Sequence, residues 1–229
     1  MKPSLEIHEA SIVLVGRFDP LLITPGWLAH HEIVDVQDAR TAEVAISHPE
    51  VSQFGFDWCK IFVDANRFQI LTSQSPFIRI SDFAVKVLSD LIPGIPVWAV
   101  GINNSRHYRV DPDQLNLFGE RLAPREMWGA WGANAINEGV DRSSGLLSTS
   151  LRQGTNLPDR KDGHVDVRIE PSSQIKGGLY VHVNDHFTFG TKENINDSSE
   201  AVALLGEHFE RSQIRAEEIS SGIITSLQS

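Results

Sequence analysis

Cysteine is nearly missing from this 229-residue chain: Cys59 stands alone. One thiol closes no disulfide, and no cysteine-based metal site can be built within one chain. Its neighbours Trp58 and Ile61 mark it as a small core residue and not as a reactive nucleophile. Long apolar runs are missing too. Nothing approaches the ~20 apolar residues of a spanning helix, and the opening MKPSLEIHEA holds no apolar signal region. The expected location is therefore the cytoplasm, with no membrane partner. Positive charge is scarce, with 20 Lys and Arg against 30 Asp and Glu and a net charge of -10. Nucleic acid, which selects a basic face, is not an expected partner.

Motifs of the common enzyme classes are also absent. There is no Gly-rich phosphate loop, no Gly-x-Ser-x-Gly elbow and no His-Glu-x-x-His. Asp159, Glu170 and Lys176 superficially suggest a metal-dependent nuclease. That chemistry needs Glu-x-Lys on one strand face, and here Pro171 and Ser172 follow Glu170. The sequence supplies no catalytic constellation, no metal site and no cofactor motif.

What the sequence does have is an approximate internal repeat. EVAI (43–46), KIFVDANRFQI (60–70) and SDFAVKVL (81–88) are echoed by DVRI (166–169), LYVHVNDHFTF (179–189) and SSEAVALL (198–205). Each copy reads as an alternating strand, a hairpin and an amphipathic helix. Asp64-Ala-Asn-Arg67 in the first copy and Asn184-Asp185 in the second have turn chemistry. The expected fold is α+β, made of two related antiparallel β-meander-plus-helix halves that arose by internal duplication. The halves are expected at 1–128 and 145–229, the second with two C-terminal helices, joined by a Gly/Asn/Ser-rich linker at 129–144. One curved sheet and two packed sheets fit the pattern equally. Thr24-Pro25 and Asp111-Pro112 read as helix caps followed by a first-turn proline.

Gly101-Ile-Asn103, followed by Tyr108, comes after the first repeat, and His208-Phe209 lies near the end of a later helix. In this arrangement the chain resembles a sporadically distributed family of uncharacterised bacterial proteins. The resemblance implies no established activity. It implies a context in bacterial defence or mobile-element systems.

Several polar groups are candidates for a site. Asn103-Asn104-Ser105-Arg106-His107 reads as a polar loop after a buried strand, and Arg17 ends the first strand beside Gly16. Arg17, Asn103, Arg106 and His107 are the candidate ligand-binding wall, with His107 able to move a proton and Arg106 able to hold an anion. His182 and His186 flank the expected turn, on adjacent strands and without an evident third metal ligand. His30-His31 reads as a helix C-terminus favoured by the dipole. The leading expectation is a non-catalytic cytoplasmic interaction protein whose partner is another protein. The alternative is a small-ligand receptor or enzyme that uses a cleft between the halves. An unpaired edge strand in either half suggests a homodimer.

Overall fold

A computed structural model describes residues 2–135, 145–191 and 197–227. The chain opens with β1 (Ser4–Gly16), α1 (Pro25–His30) and α2 (Val36–Thr41). A meander follows: β2 (Glu43–His48), β3 (Val51–Phe56), β4 (Cys59–Asp64) and β5 (Arg67–Thr72). Next comes α3 (Ile78–Lys86), which runs into a π-helical turn (Val87–Leu91). After β6 (Val97–Arg109) come α4 (Pro112–Leu122), a 3-10 turn (Arg125–Trp128) and α5 (Gly129–Gly132). The chain then forms β7 (Thr149–Gln153), β8 (Gly163–Pro171), β9 (Leu179–Thr188) and α6 (Ser199–Ser226).

The fold is mixed α+β. The nine strands among the described residues form one open antiparallel sheet, ordered β2-β3-β4-β5-β1-β6-β9-β8-β7. Successive side chains on a strand point to opposite faces. A single register row therefore carries Phe68, Leu14, Val100 and Phe187 across four strands on one face. All four are buried, in a core shared with α3 and with Ala201, Leu205 and Phe209 of α6. A smaller cluster sets α4 and the end of α6 on Tyr108, Ile169, Leu179 and Val181. The buried helix residues gather on this face, and no described helix packs on the other.

The predicted helix starts hold. Thr24 caps α1 by accepting from the Trp27 N–H at 3.3 Å, and Asp111 caps α4 by accepting from Asp113 at 3.0 Å, each before a proline.

Four expectations change. Residues 60–70 are indeed a hairpin, with Asp64 accepting from the Asn66 N–H at 2.8 Å in its turn. Residues 179–188, however, are one straight strand. Asn184 and Asp185 do not turn the chain, because β6 and β8 pair with them on both sides. The 103–108 segment is not a loop but the second half of the central strand β6. The two expected C-terminal helices are one 28-residue helix. Of the expected linker, 129–132 is a helical turn, and 136–144 lie outside the described residues.

Candidate functional site

Strand alternation scatters the four residues expected to form a polar wall. Gly16 pairs with Val97 at one end of β6, and Ile7 pairs with His107 near the other. Arg17 and His107 are therefore separated by ten residues of strand, roughly 30 Å. Arg106 points to the helix-covered face, where it is buried and ion-paired with Glu217 of α6. Asn103 and His107 share the opposite face. With Arg106 on the other face and Arg17 at the far end of the strand, the expected wall does not assemble.

On that second face β6, β9 and β8 present a polar, aromatic carpet. His107 Nδ1 lies 2.8 Å from the Ser172 hydroxyl, and its ring packs 4.6 Å from Tyr180. His182 Nδ1 lies 3.0 Å from the Ser105 hydroxyl. His186 stacks on His164 of the neighbouring strand at 4.6 Å. His182 and His186 are thus on one strand and one face, four residues apart, with Asn184 between them. Burial lowers the His107 imidazole. Burial, aided by Arg168, pulls His182 down to about 4. Burial and the adjacent His164 lower His186. These rings sit neutral at neutral pH and act as hydrogen-bonding aromatics. Among the described residues, no group of three His, Cys, Asp or Glu side chains is placed to hold a metal ion.

Beneath the sheet lies a polar network that reading the sequence missed. Asp185 of β9 is buried between Arg160, from the loop before β8, and Arg215 of α6, and both arginines also reach Asp159. Arg160 lies 3.7 Å over the Phe187 ring. Burial alone would raise the Asp159 carboxyl, but Arg160 and Arg215 hold it far below the usual carboxylate range. Next to this network the Asn104 amide donates to Gln213 at 2.7 Å and meets His8. Each charge here has an internal partner, so the network positions α6, and Asp159 and Arg160 also line a cavity of about 460 Å³ beside Phe187 and His208.

An apolar concavity lies elsewhere. A cavity of about 530 Å³ opens between α4, the 3-10 turn, α5, residues 145–148 and the ends of β8 and β9. Its floor is Leu115, Phe118, Ile169 and Leu179, and its rim holds Trp128, Trp131 and Leu147. The volume falls in the range of ligand pockets. The tryptophans are 59% and 68% exposed, Leu147 is 68% exposed and neighbouring Met127 is 84% exposed. The shelf under the tryptophans depends on Gly132, where a Cβ would lie 2.2 Å from the Arg125 carbonyl oxygen. The charged lining groups are already engaged. Arg125 donates to Glu120 through its backbone N–H at 3.0 Å and through Nε, and Glu170 accepts from Ser148 at 3.0 Å. Such a pocket selects neutral apolar groups. The signal available in the sequence was the pair Trp128 and Trp131 just after Pro124.

No protein-family model matches the chain, and no curated protein matches it.

Proposed function

We propose that the protein is a non-catalytic interaction module that grips the apolar side chains of a partner protein at the tryptophan-rimmed pocket. One observation carries this reading. Trp128, Trp131 and Leu147, each more than half exposed, rim a pocket whose charged groups are already engaged, with exposed Met127 beside them. Monomeric proteins rarely leave a contiguous apolar patch of this kind uncovered, and tryptophan is enriched among the anchors of interfaces. The lone buried thiol of Cys59 supports a cytoplasmic setting. The resemblance around 101–108 supports service in a bacterial defence or mobile-element system.

The order of strand, two short helices, meander and helix occurs twice, from β1 to α3 and from β6 to α6. Phe68 and Phe187 end the same core row on the last strand of each meander. Both observations support the reading that the halves are related by duplication.

The test is affinity capture from the native host with the wild-type chain and with a Trp128→Ala/Trp131→Ala variant. One stoichiometric protein should be captured by the wild type and lost with the variant. An unchanged set of captured proteins sinks the proposal.

A further inference from the structure

The two edges of the sheet are guarded differently. An edge strand exposes unpaired N–H and C=O groups along its outer side, and proteins blunt such edges with bulges or charges. β2 has such a device: its register with β3 shifts between Val44 and Ile46. β7 has none, since its pairing with β8 runs from Thr149 to Gln153 without a shift. Its one charge, Arg152, is held within the sheet by two hydrogen bonds to Asp166, at 2.6 and 2.7 Å. In the middle of the strand stands Leu151, 75% exposed.

We infer that β7 pairs with β7 of a second copy of this chain across a two-fold axis, joining two sheets into one. This inference rests on the reading of the neighbouring apolar surface as an interaction surface. The strand sequence Thr-Ser-Leu-Arg-Gln is self-complementary when read antiparallel. Pairing that uses all five residues sets Leu151 opposite Leu151 of the partner subunit and Arg152 opposite Ser150 of the partner subunit. No like charges face each other, and the central pair is apolar, as stable cross-strand pairs require. An isologous contact of this kind closes at two subunits. Leu147, 68% exposed, carries the apolar edge on beyond the strand.

Sedimentation velocity across a concentration series tests this. The wild type should sediment at twice the 25.4 kDa chain mass. Leu151→Asp should halve that mass while leaving the circular dichroism spectrum unchanged, because the side chain it replaces is exposed. Ile46→Asp, on the bulged edge, should leave the dimer intact. Leu151→Cys should give a disulfide-linked dimer on oxidation, since Cys59 is buried. A wild type that stays monomeric at every concentration overturns the inference, as does a Leu151→Asp protein that remains dimeric. The two proposals fail separately. A monomer that still loses a captured partner on Trp128→Ala/Trp131→Ala substitution defeats the dimer alone, and a Leu151-dependent dimer with no such partner supports the dimer alone.

Discussion

Helix α6 crosses two different kinds of ground. Its first half sets Ala201, Leu205 and Phe209 into the apolar core over β6, beside α3. Its second half sets Gln213, Arg215 and Glu217 against Asn104, Asp185 and Arg106 of β6 and β9. The change falls between adjacent rows of the sheet. Phe68, Leu14, Val100 and Phe187 make one row, while the next runs Ile70, Ile12, Ile102 and then Asp185. Ser212, Ala216 and Ser220 are the small buried residues where α6 lies over the polar end. Apolar packing tolerates many arrangements of similar volume. Buried hydrogen-bonded charges tolerate few, so the polar end fixes the helix in one register while the apolar end supplies most of the driving force.

The largest break in this contrast comes from Asp185→Ala. It leaves Arg160 and Arg215 sharing Asp159 alone, with buried positive charge no longer balanced. Removing one partner of a buried ion pair costs about 3–5 kcal/mol. The urea midpoint should fall accordingly, by as much as a large-to-small change in the apolar half, where Leu14→Ala type deletions cost ~2–5 kcal/mol. A loss of less than about 1 kcal/mol would show that the network is a surface-like pair of little consequence.

The same contrast decides what could be read from sequence. The apolar half is legible because burial shows as period: Phe68, Ile70 and the α3 stripe alternate as strands and helices must, although Val44 and Ile46 of the edge strand β2 alternate in the same way and are exposed. The polar half is not. Asn104 finds Gln213 109 residues away, and Arg160 finds Asp185 25 residues away. With those partners unseen, 103–108 has the composition of a loop and Asn184-Asp185 that of a turn. The candidate wall failed for a related reason. Neighbours in sequence, Arg106 and His107, belong to opposite faces once the segment is a strand. The pocket depends on residues from 115 to 179, and no local pattern joins them.

A second test separates the sheet's two faces by pH. His182 has its folded pKa lowered to about 4 from 6.5, with His186 and His107 also lowered. Above pH 6.5 these rings are neutral in both states and cost nothing. As pH falls through 6.5 the unfolded chain binds protons that the folded chain refuses, so stability declines until pH 4, where folded His182 is protonated too. Allowing for partial solvent access, His182 accounts for on the order of 2 kcal/mol of that loss. The Asp159 network behaves oppositely in mechanism and lower in range. Its carboxylate is depressed, so its contribution is present at pH 4 and is lost only as pH falls below the usual aspartate value of 3.8. Denaturant titrations of His182→Gln should show a smaller loss between pH 6.5 and 4 than the wild type and the same loss below that. An unchanged slope between 6.5 and 4 would remove the open face from the account.

The smallest effect should come from Arg152→Ala. This arginine joins Asp166 in the same bidentate geometry that the buried network uses, yet its side chain is 61% exposed. Water already solvates both groups, and an exposed pair gains little from its contact. The unfolding midpoint should stay where it is in dilute buffer and in high salt alike. Geometry is held nearly constant between Arg152–Asp166 and the buried Arg160–Asp159, each joining Nε and Nη2 to the two carboxylate oxygens, while burial differs, so the two pairs isolate burial as the variable. If Arg152→Ala destabilises the chain as much as Asp185→Ala does, then hydrogen-bond geometry and not burial sets the strength of these contacts, and the division between the two ends of α6 loses its physical basis.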